Sequence, residues 1–257
     1  MVVSLYTTFF YQPLFNVLVF IYNTIPGQDL GVAIIALTVL VRVLLYPLSS
    51  QSIKAQKMMQ DVQPKLDALK KQFGADKEKL ASATMQLYRE EKVNPLSSCL
   101  PLLLQLPFFI ALFQVFRDGT KPESLSVLYP FIQNPGSLQS LAFGGLVDLS
   151  LSNPVLALLA GAAQFWQGHM LVQRRPSTHN EVTKDEDFAV LMNQQMTYVM
   201  PVVTVVIAWR FPSGLALYWF LTTFLLALQQ WHFFRKDGRT KVQEYAALPP
   251  TSSGPAR

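Results

Sequence analysis

One arginine stands where the sequence is otherwise apolar. Arg42 follows residues 37–41, of which only Thr38 is polar, and precedes Val43, Leu44 and Leu45. A charged side chain deep in a bilayer costs at least ~2.5 kcal/mol on insertion scales, so such residues face a bundle interior or a water-filled cavity. The ordinary explanation is an interhelical ion pair. Yet no Asp or Glu falls inside any of the long apolar runs, and the nearest acid, Asp29, lies near the far end of the same run. Other polar residues share this setting. Thr38 is one turn before Arg42 and on the same helical face. Gln105 lies between Pro101 and Pro107 in the second apolar run, and Gln164 and Gln167 lie in the third. A single glutamine is more often an interhelical hydrogen-bonding group than a site. One polar group on each of several helices, beside an unpaired cation, points to a shared hydrated cavity. Such a cavity attracts anions. It would serve a small anion channel or transporter, or receive the acidic flank of a protein segment in transit.

Other chemistry is poorly supplied. Cys99 is the single cysteine, which excludes an internal disulfide and any CxxC motif. His169, His179 and His232 are scattered without metal-ligand spacing. No phosphate-binding glycine loop, nucleophile elbow or HExxH helix occurs, so the expectation is a non-enzyme without metal or cofactor. No nucleic-acid site is evident.

The elements that must position these residues are membrane helices. Of 257 residues, 51% are hydrophobic and 14% charged, against a charged share of about 25% in soluble domains. The apolar residues collect in runs near the ~20 residues needed to cross a bilayer. Lipid offers the backbone no hydrogen-bond partner, so these runs must be helices. Five are expected, over 29–48, 96–116, 153–172, 192–209 and 212–234. Residues 1–28 hold a shorter apolar stretch interrupted by Asn16, Tyr22 and Asn23, read as an interfacial amphipathic helix with Pro13 in its first turn. Residues 49–95 are charged and helix-favouring. Val62, Leu66, Leu69 and Phe73 recur at helical spacing, as do Leu80 and Leu87. Gly74 suits a helix end and Asp76 the next helix cap. That predicts a helical hairpin of two arms, about 20 residues each, with Pro64 kinking or restarting the first. The segment 117–152 is rich in Pro, Gly and Ser and is expected to form small helices on the membrane face. Residues 173–191 make a loop and 235–257 a tail, disordered from Pro249 onward.

Charge orients the chain. Segment 49–95, loop 173–191 and tail 235–257 hold 17 Lys and Arg, against 3 on the other side. The positive-inside rule puts those segments in the cytoplasm and the N-terminus outside.

The run Val41, Arg42, Val43, Leu44, Leu45, Tyr46, Pro47, Leu48 resembles the arginine-bearing helix of the YidC/Oxa/Alb membrane insertase family. The stretch from Glu91 through Asn94, Pro95, Pro101, Gln105 and Pro107 to Phe108 is similar to that family's second core helix. The stretch from Phe211 through Pro212, Ser213, Gly214 and Tyr218 to Trp219 is similar to the start of its last core helix, and Gln63, Pro64 and Lys65 also fit. The resemblance covers nearly the whole chain in order. It implies an all-α membrane protein of five transmembrane helices around a hydrophilic groove, in a bacterial plasma membrane. The implied function is insertion and folding of nascent membrane proteins. The Sec translocon, the ribosome and membrane lipids are further implied partners. Arg42 falls on the groove arginine, Thr38 and Trp219 on positions facing a passing substrate helix, and Gln167 or Gln164 on a further groove position. The hairpin, about Gln51 to Lys92, falls on the mobile region that captures substrate. Thr222 and Thr223 depart from a common Ser-Asn pair.

Overall fold

The computed structural model describes residues 6–74, 76–94, 100–118, 122–172 and 195–247. The loop 173–191, Cys99, His179 and the chain beyond residue 247 lie outside the described residues. The described chain is mostly helical, as expected. Its helices are α1 (Gln12–Thr24), α2 (Leu30–Leu44), α3 (Tyr46–Phe73), α4 (Lys77–Glu90), α5 (Leu100–Asp118), α6 (Pro154–Val172), α7 (Met200–Arg210) and α8 (Ser213–Ala247). Single π-turns, Thr7–Tyr11 and Gln195–Val199, lead into α1 and α7.

Helix α1 buries one face in the main core of the protein. Phe15, Leu18, Val19 and Tyr22 recur at helical spacing and are fully buried. They pack into the main core with Leu30, Ala33, Ile34, Leu37 and Val41 of α2, Ala111, Leu112 and Val115 of α5, and Leu215 and Tyr218 of α8. The polar residues that interrupt the apolar stretch turn out to be its ties to the connection between α5 and α6. Asn16 Nδ2 donates to Val127 O at 3.1 Å, and Asn16 Oδ1 accepts from Tyr129 N at 2.6 Å. Tyr22 Oη accepts from Gln139 N at 3.1 Å.

That connection differs from the small helices expected of it. It holds a 3-10 turn, Pro122–Val127, and an antiparallel pair, β1 (Leu141–Ala142) with β2 (Val147–Asp148). The turn between the strands places Phe143, Gly144 and Gly145 at positive φ. Two glycines make that cheap. A composition of Gly, Ser and short apolar patches does not by itself separate such a turn from a helical piece.

The first apolar run also breaks earlier than expected. Helix α2 ends at Leu44, and α3 leaves at 65° from Tyr46. Pro47 lacks the N–H that would continue the ladder to Val43, and its ring crowds that carbonyl. Arg42 therefore sits in the last turn of α2, not mid-helix. There the free carbonyls of a helix C-terminus favour a cation by about 0.3–1 kcal/mol. From Tyr46 the helix runs 28 residues to Phe73, passing through Pro64 without ending. The hairpin arms are thus unequal, 28 against 14 residues. Asp76 caps α4 as expected, accepting from Lys79 N at 3.1 Å, and this bond holds its carboxyl below the usual range. Gly74 follows α3 in right-handed, not left-handed, conformation, where a Cβ would sit 2.6 Å from Lys70 O.

Helix α8 is 35 residues long and carries the chain well past the expected end at residue 234. Helices α6 and α7 pack through small residues. A Cβ on Gly161 would lie 2.3 Å from Val205 Cγ2, so only glycine admits this approach. The opposite face of α7 exposes Val202, Val206 and Trp209. Among the described residues no single helix is both long enough and apolar enough to cross a membrane alone. The bent pair α2 and α3 passes together, and Gln105–Val115 and Thr197–Arg210 are shorter apolar stretches.

Candidate functional site

The site is built on three helices. Helix α2 contributes Thr38 and Arg42, one turn apart. Thr38 is buried, and its hydroxyl donates to Ile34 O of its own helix at 2.6 Å. This satisfies the hydroxyl locally and leaves the face open for the longer Arg42. The Arg42 guanidinium reaches across to α8, where an Nη donates to the backbone carbonyl of Thr222. Its Nε is buried and has no hydrogen-bond partner. Among the described residues Arg42 pairs with no carboxylate; the ion pairs present lie in the hairpin, Lys65 with Glu91, and Lys70 and Lys79 with nearby aspartates.

Helix α5 reaches the same face of α8 one turn earlier. Gln105 Nε2 donates to the hydroxyl of buried Tyr218, one turn before Thr222. One turn further along α5, Phe109 meets Trp219 edge to face, with ring centroids 5.3 Å apart. One polar and one aromatic contact, a turn apart on α5 and on adjacent residues of α8, thus join the two helices. Arg42 of α2 and Gln105 of α5 both bond to α8, one helical turn apart, while Trp219 meets Phe109 of α5 and Thr38 bonds within α2.

Gln164 is engaged elsewhere. It accepts from Thr204 Oγ1 of α7 at 2.7 Å, the interhelical role a lone glutamine ordinarily plays. Gln167 is half-buried nearly one turn further along α6.

Two sets of contacts are not read from the sequence. Tyr218 and the Thr222 carbonyl hold Gln105 and Arg42, and a backbone acceptor has no sequence signal. The second set lies where α3 meets α8. Ser49 Oγ donates to Gln229 Oε1 at 3.0 Å, Gln229 Nε2 donates to Ser50 Oγ at 3.0 Å, and Gln230 Nε2 donates to Gln56 Oε1 at 3.0 Å. Two adjacent glutamines inside an apolar run were the available signal.

Chemically the cluster is a cation held in place but not neutralised. A guanidinium has five N–H donors and binds a carboxylate through two parallel bonds. With one donor on a carbonyl and another buried without a partner, capacity remains for an anionic group. Nothing in the cluster is arranged as nucleophile and base, and among the described residues no group of His, Cys, Asp and Glu could hold a metal.

The family described as 60Kd inner membrane protein matches residues 20–240. The chain is 36% identical over 233 residues to the membrane protein insertase YidC of Fusobacterium nucleatum, covering 90% of this chain and 99% of that relative. It is 38% identical over 233 residues to the insertase YidC of Tolumonas auensis, covering 90% of this chain but 37% of that relative. The figures for the Legionella pneumophila insertase YidC are 36% over 225 residues, 87% and 35%. The chain therefore spans nearly all of the first relative and little more than a third of the other two.

Proposed function

The chain belongs to the 60Kd inner membrane protein family, and from that premise we propose that it inserts other proteins into a bilayer, with Arg42 receiving their acidic, hydrophilic flanks. The observation that carries this reading is the state of Arg42. It is held by one backbone carbonyl and has no carboxylate partner among the described residues. A cation kept this way costs the fold stability, and the cost is explained if its partner arrives with the substrate.

In this reading α2, α5 and α8 line a hydrated groove open toward the helical hairpin and toward lipid. Thr38, Gln105 and Trp219 line it beside Arg42. Gln164, bonded to Thr204, braces α6 on α7, and Gln167 contributes from the groove's margin. The five spans run 29–48, 96–116, 153–172, 192–209 and 212–234, the bend at Leu45 marking the inner end of the first. Water and one positive charge part-way into the membrane shorten the apolar distance a polar flank must cross. Burial of the substrate's apolar helix in lipid, at about 25 cal/mol per Å² of apolar area, then drives release. No nucleotide is consumed. The arrangement has the N-terminus outside and the hairpin in the cytoplasm, where nascent chains, and by extension the ribosome and Sec translocon, would be met. No observation favours an anion channel.

Complementation tests the reading. In cells depleted of their own insertase, the Arg42→Ala chain should fail to support insertion of acidic-flanked substrates. Arg42→Lys should support most of it. Full rescue by Arg42→Ala would sink the role given to the arginine.

A further inference from the structure

The connection between α5 and α6 is made of unusual material for a surface loop. The 30 residues from Ser124 to Asn153 contain one charged residue, Asp148, where the chain's 14% share would give about four. Apolar side chains also stand out furthest here. Leu146 is 85% exposed and Phe131 80%, the highest values of any large apolar residue among the described residues, and Leu141 and Leu151 are exposed beside them. A single exposed leucine is ordinary on a protein surface. Four large apolar residues in one nearly uncharged segment make a patch, and such patches mark binding surfaces.

The segment is tied to the ends of the helices, so these side chains are held in place. It runs along α1, where Val127 O accepts from Asn16 Nδ2 at 3.1 Å and Gln133 O accepts from Asn23 Nδ2 at 2.6 Å. The turn after β1 is held at the start of α2 by Asp29, which accepts from Phe143 N and Gly144 N. Leu149 O and Leu151 O accept from Gly214 N and Ser213 N at the start of α8. Beyond Leu151 the exposed apolar surface continues along α6 through Val155, Leu158 and Leu159. Ala157 packs with Ala208, so α7 ends at this same level, and its last turn exposes Trp209. The rings of Tyr129 and Phe131 stack with centroids 5.5 Å apart. Aromatic rings settle at membrane–water boundaries. Asp148 limits the depth. Its carboxylate accepts from Ser150 N and Oγ at 2.9 and 2.6 Å, bonds that hold its carboxyl below the ordinary range. An ionised carboxylate is costly in hydrocarbon and stays with the headgroups.

We propose that the connection between α5 and α6 is a lipid-surface anchor, with Phe131, Leu141, Leu146 and Leu151 seated at the boundary of headgroups and acyl chains by apolar contact and not by headgroup charge. Lipid is the occupant because the patch continues the exposed faces of α6 and α7, which lie in the bilayer in the five-span reading. A protein partner's site carries a polar rim, whereas the one charge of this segment is bonded within its own loop. The leaflet is the outer one in the orientation proposed above. The contact with lipid depends neither on that orientation nor on insertase activity.

The test reads depth in the full chain in liposomes. Cys99 is replaced by Ser, and a nitroxide is attached at Phe131→Cys, Leu141→Cys, Leu146→Cys or Leu151→Cys, one at a time. Met85→Cys on α4 and Val202→Cys on α7, both exposed, serve as references for water and for lipid. Power-saturation electron paramagnetic resonance compares collisions with oxygen, which concentrates among acyl chains, and with a nickel chelate, which stays in water. All four labels should show an oxygen-to-nickel ratio at least about threefold above that of Met85→Cys, as seating about 5–10 Å into the boundary requires. The ratios should be the same in phosphatidylcholine and in its mixtures with phosphatidylglycerol. Phe131→Gln/Leu146→Gln removes apolar contact without touching the backbone ties, and should lower the ratio at Leu141→Cys by at least about twofold. Ratios as low as at Met85→Cys would put the loop in water. Low collision with both reagents, rising as the protein is diluted in lipid, would mean that a second copy covers the patch. Either result, ratios that depend on phosphatidylglycerol, or an unchanged ratio in the double variant would overturn the anchor. Insertion by Arg42→Ala is scored separately, and its success or failure leaves these ratios unmoved.

Discussion

The two ends of the helix bundle are secured by different means. At the end carrying β1 and β2, the ties are backbone groups, buried rings and one carboxylate. Asp29 caps α2 through Val32 N at 3.1 Å, and its second oxygen accepts from Phe143 N and Gly144 N of the strand turn. Ser213 N and Gly214 N, opening α8, donate to Leu151 O and Leu149 O at 2.8 and 3.1 Å. Gly31 admits the turn closely, since a Cβ there would lie 2.7 Å from the Phe143 ring. At the end carrying α3 and α4, neutral side chains of Ser and Gln bridge α3 to α8, and Arg42, seven residues before Ser49, has no carboxylate partner among the described residues. The first end is tied largely through backbone groups and buried rings, the second largely through side chains. Local stability in proteins divides in this way, with moving elements drawn from the weakly held parts.

Four substitutions probe that contrast, taken from the largest effect down. Phe15→Ala at the well-packed end should lower unfolding stability by about 3–5 kcal/mol, read by thermal unfolding in detergent, because the ring is fully buried and its removal leaves a cavity. Arg42→Ala should slow insertion of an acidic-flanked substrate by about tenfold or more, the loss of a charge-assisted bond of ~1.5–3 kcal/mol. The same variant should be no less heat-stable than the parent, since removing an unneutralised charge relieves its desolvation. A parallel loss of stability would show that Arg42 belongs with the rigid end. Asp29→Ala should cost about 0.5–2 kcal/mol as a lost helix cap, and amide exchange should quicken in both α2's first turn and the 143–144 turn. Quickening in only one would break the claim that a single carboxylate joins them. The smallest effect is at Asp76. A carboxyl held below its ordinary range adds stability that is present above the unfolded value and lost as pH falls through the folded one. Acidification should therefore fray the first turn of α4, seen as faster exchange there, and Asp76→Asn should remove that pH dependence.

What was readable in the sequence follows from range. Local signals were clear. Arg42 in an apolar run, the Asp76 cap and the Val62 and Leu66 stripe are each read from a few neighbouring residues. The break at Leu45 was also local, in Tyr46 and Pro47, but the apolar run continues past it and hid it. The ties of Asp29 to Phe143 and of Asn16 to Val127 span more than a hundred residues, and no periodicity points across such a gap. Gln105 stands out by its polarity in an apolar helix, and nothing local marks Tyr218, 113 residues away, as its partner. Gln164 carried the same signal and proved to face α7. Polarity marks a residue that needs a partner and does not say which helix supplies it. Trp219 entered through family resemblance alone, and the ring of Phe109 beside it is the physical setting the resemblance lacked.

The most direct test of the role of Arg42 is reconstituted insertion with matched substrates. Two substrates share one apolar helix and differ only in flank, acidic or neutral with the carboxylates changed to amides. Insertion by the parent and by Arg42→Ala is measured for both in liposomes of fixed composition. The account predicts a defect of about tenfold for the acidic flank, shrinking to less than twofold for the neutral one. Equal defects for the two flanks, or none for either, would contradict it.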